Sequence, residues 1–260
     1  MSLEQQYLAA YDEQLRTDAE IPGASAVRPL GPLRLATYAG GRGFVTYPHQ
    51  NGTDLAALVG QVDEHYRADP EITRVEWKAR GHDTTPGLHE ALVQHGFRPD
   101  EPESIMIGDA ELLAVDVNLP AAITLRQISD EADVRAMCAM QAVAFDDGSD
   151  PGRDADGVLR RLSLRDGMEL WVAEAEGEII SAGRLEPVPG TEFAGLWGGA
   201  TLQRWRGHGI YRALTAVRAR SALAMGKRLL HSDSTEFSRP ILERSGLRKV
   251  STTTPYMWTR

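Results

Sequence analysis

The chain has 260 residues, of which 42% are hydrophobic and 25% are charged, a balance typical of a folded globular protein with room for two domains. The net charge of −9 argues against a nucleic-acid-binding protein, which usually carries a basic face. No apolar run reaches the ~18 residues of a membrane span. Cys138 is the only cysteine, so an intramolecular disulfide is excluded. The start of the chain does not resemble a secretory signal, and we therefore expect a cytoplasmic protein.

The first half of the chain alternates short helices and strands. Gly40 and Gly41 separate two short apolar runs, which is typical of a hairpin. Gly96 lies where a left-handed residue would end a helix. Together with the hydrophobic periodicity, these signals predict helices over 3–15, 53–66 and 86–95, and strands over 33–38, 43–47, 72–79 and 104–107.

A linker over 109–122 leads into the second half, because Asn118 and Pro120 interrupt any regular pattern there. The segment 146–156 is acidic and contains glycine, so we expect a mobile loop. The remaining pattern predicts strands over 123–126, 169–175, 178–185, 193–202, 229–232 and 252–258. It predicts helices from Ser129 or Asp130 to Ala144 and over 158–164, 209–225 and 239–245.

A weak internal repeat relates the two halves. Residues 92–98 align with residues 242–248, an offset of 150, and in both halves a strand precedes this segment and an apolar strand follows it. We therefore predict two copies of one α/β unit, with domains over 1–115 and 116–260. The alternative is that any short helix ending in glycine shows this pattern.

The turn 204–209 joins an apolar, glycine-bearing strand to a long predicted helix. Gly207 and Gly209 have no Cβ atom to keep an anion away from the backbone N–H groups. The helix start adds unpaired N–H donors and the positive end of its dipole. Arg204, Arg206 and Arg212 add positive charge. The pattern predicts a phosphate-binding turn, although a tight turn without a ligand has the same composition.

Residues 200–210 resemble the pyrophosphate-binding motif of the GNAT superfamily of N-acetyltransferases, Arg/Gln-x-x-Gly-x-Gly/Ala. Residues 238–247 are similar to that family's short helix ending in Gly-Phe, with Leu247 in place of the Phe. Gln203 stands where a Pro is common. The resemblance extends over about 123–258 and implies a mixed, splayed β-sheet flanked by helices.

In such a fold, the pantetheine arm of acetyl-CoA runs between the strands 193–202 and 229–232. The resemblance implies that the backbone at 200–202 contacts this arm and that the amides of 204–211 hold the pyrophosphate. The first half looks like a reduced copy, because its corresponding turn, 48–53, contains one glycine and no arginine. We expect the first half to bind no cofactor. The residues assigned to acetyl-CoA are Ala200, Thr201, Leu202, Arg204, Arg206, Gly207, His208, Gly209, Ile210, Tyr211, Arg212 and Ser238.

The groups that would move protons are less well defined. Many members of the family have a Tyr in the short helix that protonates the leaving thiolate, but Leu242 occupies the matching position here. Glu192 and Asp233 are the candidate catalytic carboxylates, since each lies next to one of the two splayed strands. Glu192 is equally consistent with an exposed turn residue, and Asp233 with a helix cap.

We therefore expect an acetyl-CoA-dependent N-acetyltransferase that acts by direct transfer on a primary amine, with a small molecule as the acceptor. The alternatives are a non-catalytic acyl-CoA-binding module and a protein N-acetyltransferase. The seven histidines show no paired spacing such as His-x-x-x-His, so no metal site is predicted. No nucleic-acid or membrane partner is expected. The oligomeric state is left open, a homodimer included.

Overall fold

The computed structural model describes residues 1–146 and 148–260. They form two compact units, each mixing helices and strands. The first unit comprises Met1–Met106, Asp233–Arg239 and Lys249–Arg260, and the second comprises Ile107–Ser232 and Pro240–Arg248. Within the described ranges, no helix is both long and apolar enough to cross a membrane.

The first part of the chain begins with a helix whose start is closed by a capping box between Ser2 and Gln5. Two 3-10 turns, Asp18–Glu20 and Ala56–Leu58, interrupt the connections. The elements are α1 (Leu3–Gln14), β1 (Ala26–Leu30), β2 (Leu33–Tyr38), β3 (Arg42–Thr46), α2 (Val59–Arg67), β4 (Arg74–Arg80), α3 (Leu88–Gln94), β5 (Arg98–Pro99) and β6 (Glu103–Asp109).

The rest of the chain contains five helices and six strands among the described residues, together with a 3-10 turn, Gln203–Trp205. In chain order, they are α4 (Ala110–Leu113), β7 (Ile123–Ile128), α5 (Glu131–Phe145), α6 (Pro151–Ser163), β8 (Glu169–Ala175), β9 (Glu178–Pro187), β10 (Phe193–Thr201), α7 (Ile210–Ala224), β11 (Leu229–Ser234), α8 (Arg239–Ser245) and β12 (Arg248–Thr259).

In the first unit, β1, β2 and β3 form an antiparallel ribbon, and β3 then pairs with β4 in parallel. The C-terminal strand β12 pairs antiparallel with β4, from Thr253 opposite Arg80 to Thr259 opposite Arg74. The core of this unit is built from the buried faces of β3, β4, α2 and α3, and Trp77 lies at its centre with no exposed surface.

In the second unit, β7, β8, β9 and β10 pair antiparallel in that order. Strand β10 then pairs in parallel with β11. The apolar sides of α5, α6 and α7 share one core with β8 and β9, which includes Val134, Val158, Val172 and Leu214. The parallel pair is followed in each unit by a short helix that ends in glycine, α3 before Gly96 and α8 before Gly246.

The predicted mixed α/β class is confirmed, and several local predictions need correction. The predicted loop over 146–156 is helical from Pro151, because Asp150 caps that helix and Pro151 fits its first turn. Position 147 lies outside the described residues. The predicted linker contains the short helix α4. Strand β1 was not predicted, because Pro29 interrupts its apolar pattern. This strand lies at the sheet edge, where a proline is tolerated.

The compact units do not follow one cut in the sequence, whereas the predicted boundary lies between residues 115 and 116. The physical reason is that β12, at the end of the chain, forms its backbone hydrogen bonds with β4 of the first unit. The two units are defined by contacts in space, whereas the two predicted copies were defined by a repeat in the sequence. The prediction of two copies of one α/β unit therefore stays a prediction.

Candidate functional site

The turn between β10 and α7 has the backbone shape that its glycines predict. Gly207 and Gly209 both lie in the left-handed region, with φ of +83° and +78°. Gly209 is the residue that precedes α7, and no side chain caps the helix there. A Cβ atom at Gly207 would meet no protein atom within 4 Å. The turn therefore presents bare backbone to the space in front of the helix.

This backbone offers a row of hydrogen-bond donors. Among the described residues, the N–H groups of 207–212 donate to no protein acceptor, and the first intrahelical bond runs from Ala213 to the carbonyl of Gly209. The positive end of the dipole of α7, a helix of 15 residues, lies at the same place. Consecutive free N–H groups at a helix start are an anion-binding arrangement.

Strand β10 is irregular immediately before the turn. Its register with β9 shifts between Trp197 and Ala200, and Gly198 adopts a φ of +60°. The side-chain amide of Gln141 in α5 donates to the carbonyl of Gly198 at 2.7 Å. Gly199 lies against the ring of Tyr211 in the first turn of α7. The bulge is thus held by α5 on one side and by α7 on the other.

The parallel pairing of β10 with β11 is short. It runs from Phe193 opposite Leu229 to Gly195 opposite His231 in the described chain, while β10 continues to Thr201 along β9. His231 is buried, with its ring edge-on to those of Phe193 and Trp197. Its surroundings are those of a core histidine. The second half of β10 therefore has β9 on one side and is not paired with β11 on the other.

The three arginines near the turn differ in what they contact. Arg204 forms an exposed ion pair with Glu178. Arg206 donates to the carbonyls of Thr201 at 3.1 Å and Ala144 at 3.2 Å. Arg212 lies in the first turn of α7, is exposed, and has no hydrogen-bond or ion-pair partner in the described structure. Arg212 is therefore the cation that a ligand could engage without breaking an existing contact.

Other residues assigned to acetyl-CoA are partly occupied by protein contacts. The N–H group of Leu202 donates to the carbonyl of Ile180 at 3.0 Å. The hydroxyl of Ser181 donates to the carbonyl of Ala200 at 2.6 Å and lies 2.7 Å from the hydroxyl of Thr201. These bonds fix the end of β10, and they leave Leu202 without a free donor for a ligand.

His208 and Ile210 differ in exposure within the same turn. The Nδ1 atom of His208 lies 3.1 Å from the carbonyl of Arg206 and 3.2 Å from that of Trp205, and its ring is exposed. Ile210 is buried and fastens the start of α7 to the core. The buried side chain of Ile210 thus anchors the turn to the core, whereas the side of the turn that carries His208 is exposed to solvent.

Arg218 anchors the middle of α7, although the helical pattern of the sequence would place it partly in solvent. It is 1% exposed. Its Nε donates to the carbonyl of Leu214 and its Nη1 to that of Arg184 in β9, both at 3.0 Å. A Cβ at Gly183 would lie 2.5 Å from Nη1, so the glycine makes room for the guanidinium. Burial lowers the pKa of Arg218 to about 10.

A small cavity adjoins the first turns of α7 within the second unit. Arg212 and Thr215 line it from α7, and Arg244 and Ser245 line it from the end of α8. Leu112, Leu113 and Val115 complete its wall. The segment after α4 is held there because Arg220 donates to the carbonyl of Val115 at 2.9 Å. Two arginines therefore face one cavity beside the donor-rich turn.

Glu192 lies at the start of β10, whereas the bulge and the turn lie at its end. At ~3.3 Å per residue, the nine residues of β10 separate these places by roughly 30 Å. The carboxylate of Glu192 accepts from Nε of Arg228 at 3.0 Å. This position and this partner do not favour Glu192 as the base of a reaction at the bulge.

Asp233 belongs to the first unit and is buried in a cluster of charges. Its Oδ2 accepts from Nζ of Lys78 at 2.5 Å, and Nζ also lies 3.7 Å from Glu20. Although burial alone would lower the pKa of Lys78, the charges of Asp233, Tyr11 and Glu20 raise it above its ordinary value. Lys78 is therefore charged at neutral pH, and its ion pair is a structural role for Asp233.

Ser238 lies immediately before α8, and Leu242 lies in the middle of that helix. Ser238 belongs to the first unit, and its hydroxyl lies 3.4 Å from the carbonyl of Thr235. Its predicted contact with acetyl-CoA stays a prediction. Leu242, at the position where a Tyr would be expected, is 1% exposed in the second unit. The structure offers no proton donor at this residue.

The corresponding turn of the first unit uses part of its N–H groups internally. Gln50 donates to the carboxylate of Asp83, Gly52 to the carbonyl of Thr84, and Ala57 to the carboxylate of Asp54. The carbonyl of Tyr47, just after β3, accepts from the buried guanidinium of Arg16 at 3.2 and 3.3 Å. Protein groups therefore occupy part of the backbone that would be needed to hold a phosphate or a pantetheine arm.

No family model matches the sequence, and neither does any curated protein. Solved structures do match, and they define the fold as that of the GCN5-related N-acetyltransferases, or GNAT proteins. A GCN5-related N-acetyltransferase from Kribbella flavida is 16% identical, with a TM-score of 0.67 over 99% of this chain and 96% of that protein.

A tandem GNAT protein from the clavulanic acid biosynthesis pathway is 14% identical, with a TM-score of 0.62, and the match again covers 99% of this chain and 96% of that protein. A GCN5-related N-acetyltransferase from Sphaerobacter thermophilus is 18% identical, with a TM-score of 0.58 over 87% and 76% of the two chains. At these identities, the likeness is one of fold.

Proposed function

We propose that the protein is an acetyl-CoA-dependent N-acetyltransferase whose second unit binds the cofactor. The observation that carries the proposal is the row of free N–H groups over 207–212, at the end of the bulged strand β10 and at the start of α7. In a GNAT-type fold, this row would receive the pyrophosphate of acetyl-CoA.

Charge and hydrogen bonding both support an anionic ligand at this turn. A hydrogen bond to a charged group contributes about 1.5–3 kcal/mol, and the helix dipole adds about 0.3–1 kcal/mol for an anion at the N-terminus. Arg212 would supply a cation from the first turn of α7, and it has no protein partner to give up. The bulge at Gly198 and Gly199 would let the pantetheine arm approach the backbone of β10 closely.

We propose one cofactor for each chain. In the equivalent turn of the first unit, Gln50 and Gly52 donate their N–H groups to Asp83 and Thr84, and Ala57, just after the turn, donates to Asp54. An entering phosphate there would have to displace these acceptors and the contacts of Arg16 with Tyr47 and Pro48. The first unit would then serve as a packing or substrate-shaping domain.

The reaction would be direct transfer to a neutral primary amine of a small molecule. The amine nitrogen forms a bond to the acetyl carbon, the carbon–sulfur bond breaks, and the amine proton leaves to a base as CoA departs as a thiol or thiolate. We assign no side chain as that base, because Glu192 and Asp233 are each held by a cation.

Turnover by the full chain tests the proposal. We would incubate the protein with acetyl-CoA and a panel of primary amines, and measure release of the CoA thiol and the mass of the acetylated amine. The expected result is amine-dependent thiol release with one CoA bound per chain by calorimetry. Absence of CoA binding at millimolar acetyl-CoA would overturn the proposal.

A second candidate is a non-catalytic acyl-CoA-binding module, favoured by the buried Leu242 at the expected position of a proton donor. Stoichiometric CoA binding without thiol release on any amine would support it. Transfer to peptides and not to small amines would instead support a protein N-acetyltransferase. The cytoplasmic location and the lack of nucleic-acid and membrane partners stay predictions of the sequence.

A further inference from the structure

Three polar side chains far apart in sequence meet in the first unit. Asp12 lies in α1, His49 follows β3, and His82 follows β4. One ligand atom from each lies within 4.8 Å of the others, and the two imidazole rings are stacked, 5.5 Å apart and 12° from parallel. We refer to these residues as the Asp12–His49–His82 cluster.

An oxygen partner engages one nitrogen of each imidazole. Nδ1 of His49 lies 2.8 Å from Oδ1 of Asp83, and Nδ1 of His82 lies 2.7 Å from the hydroxyl of Ser251. Such partners fix the orientation of an imidazole, place its proton on Nδ1 and make the other nitrogen more basic. For His82, this leaves Nε2 as the atom that can accept a cation. Nδ1 of His49 lies 3.9 Å from Oδ2 of Asp12, so His49 brings an imidazole nitrogen close to the same carboxylate.

Two hydrogen-bond acceptors converge inside the cluster. Nε2 of His82 lies 3.0 Å from Oδ1 of Asp12, and both lie 3.2 Å from Nη1 of Arg16. A guanidinium can only donate, so Nε2 accepts from Nη1 in the tautomer that carries the proton on Nδ1, which is also the tautomer in which Nε2 can bind a metal. When a nitrogen and an oxygen bind one zinc ion at ~2.1 Å each, they lie about 3 to 3.5 Å apart.

We propose that the Asp12–His49–His82 cluster binds a divalent transition-metal ion, with zinc as the ion that fits its ligands best. Two imidazoles and one carboxylate are a ligand set that zinc accepts, and three protein ligands leave a fourth position for water. The ion would bind Nε2 of His82, one imidazole nitrogen of His49 and a carboxylate oxygen of Asp12.

Arg16 does not exclude an ion from this place. Four of its acceptor contacts do not use Nη1: Nη2 donates to the carboxylate of Asp83 at 2.6 Å and to the carbonyls of Tyr47 and Pro48, and Nε donates to the carbonyl of Tyr47. They remain when Nη1 is released from Asp12, His82 and the second oxygen of Asp83. When both imidazoles are neutral, the carboxylates of Asp12 and Asp83 and the guanidinium of Arg16 give the cluster and its neighbours a net charge of −1. The resident cation thus keeps Asp12 and His82 in position until a metal replaces Nη1.

The cluster is also accessible from solvent. The side chain of His49 is 46% exposed, that of Asp12 is 20% exposed and that of His82 is 14% exposed. An ion can therefore enter at His49 and reach the two less exposed ligands behind it. This site lies wholly within the first unit and does not depend on acetyl transfer by the second.

Zinc binding by the untagged full-length chain tests this assignment. After treatment with a chelator and dialysis, the protein would be titrated with Zn²⁺ by calorimetry, and with Co²⁺ to follow the visible absorption of the bound ion. The expected result is one ion per chain with micromolar or tighter affinity. His49→Ala, at an exposed position, should weaken binding at least tenfold and leave the thermal midpoint without metal nearly unchanged, and Asp12→Asn should weaken binding as well.

His95→Ala is the matched control, because Nδ1 of His95 also lies near a carboxylate, at 3.4 Å from Asp63, and its side chain is 36% exposed. This variant should bind zinc as the unchanged protein does. The assignment is overturned by any of three results: no zinc bound at 100 µM (roughly a hundred times a micromolar dissociation constant), equal binding by His49→Ala, or equal weakening by His95→Ala.

Discussion

Gly199 in β10 and Tyr211 in α7 pack so closely that a Cβ atom on Gly199 would lie 2.7 Å from Cε2 of Tyr211. This contact connects the bulge of β10 with the first turn of the helix that carries the free N–H groups. The ring of Tyr211 is largely buried, and burial raises the pKa of its hydroxyl, so the ring has little room to move away. The position of the bulge and that of the helix start are therefore set together.

Gly199→Ala should weaken both acetyl-CoA binding and the fold. The added methyl would push Tyr211 and the start of α7 away from β10, and overpacking of this kind costs about 1–3 kcal/mol. We expect roughly tenfold weaker binding by calorimetry, together with a lower thermal midpoint.

Gly157→Ala, in α6, is the control for Gly199→Ala, because a Cβ there meets only the end of Arg160 at 3.9 Å. It should leave acetyl-CoA affinity unchanged and raise the thermal midpoint slightly, since alanine is the better helix former. If Gly199→Ala binds acetyl-CoA as tightly as Gly157→Ala, the contact with Tyr211 does not position the site.

Gly207→Ala tests the donor-rich turn directly. Gly207 has a φ of +83° and open space around its Cβ position, so alanine would cost about 1 kcal/mol of backbone strain. Its methyl would project into the space in front of the free N–H groups. We expect at least tenfold weaker acetyl-CoA binding by calorimetry.

Gly226→Ala provides the same strain at the other end of α7. Gly226 has a φ of +74° and no protein atom within 4 Å of its Cβ position. The two variants should lose similar stability in urea unfolding, and only Gly207→Ala should lose affinity. Equal affinities in both would remove the turn from the cofactor site.

Local sequence signals predicted much of the second unit. The helix 239–245 has its predicted bounds, and β10 and α7 agree with their predictions to within one residue at each end, since glycine turns and apolar periodicity act over a few residues. The glycines of the turn also predicted its exposed N–H groups, because an open backbone needs residues without Cβ atoms.

Long-range pairing was not predictable in this way. The bond between Lys78 and Asp233 joins residues 155 positions apart, and nothing local to either residue indicates the other. Arg218 looks like a surface residue in the helical pattern because its acceptors are backbone carbonyls of Leu214 and Arg184. The Asp12–His49–His82 cluster was missed for the same reason: histidine spacing along the chain does not show which strands lie side by side.

Glu192→Gln and Asp233→Asn should separate structural roles from catalytic ones. Glu192 forms an exposed ion pair, which contributes about 0–1 kcal/mol. Glu192→Gln should therefore lower the free energy of unfolding by at most about 1 kcal/mol and change kcat less than twofold. Asp233→Asn leaves Lys78 buried without its carboxylate, and breaking a buried pair costs about 3–5 kcal/mol.

Asp233→Asn should therefore lower the urea midpoint strongly, while kcat measured well below the melting temperature keeps its pH profile. A fall in kcat of a hundredfold with unchanged stability, in either variant, would restore that carboxylate as a catalytic base.

Glu20 should make the fold sensitive to acid. Burial alone would raise the pKa of Glu20, but the charges of Arg80 and Lys78 and the hydrogen bond from Thr46 hold it below its usual value of 4.5. A carboxyl whose pKa is depressed by folding stabilises the protein above its unfolded pKa, and this contribution is lost as the pH falls through the folded pKa. Glu20→Gln should therefore be less stable than the unchanged protein at pH 7, by about 3 kcal/mol for a broken buried pair.

The difference in the free energy of unfolding between Glu20→Gln and the unchanged protein should stay constant from pH 7 to about 5. It should become smaller below pH 4.5, because protonation removes the charge from Glu20 itself. Urea unfolding at a series of pH values measures it. Other buried carboxyls titrate in both proteins, among them Glu76 and Glu103, whose pKa values are raised by burial, so they largely cancel in the difference. If this difference in the free energy of unfolding is the same at pH 3 as at pH 7, Glu20 stabilises the fold through its packing and not through its charge.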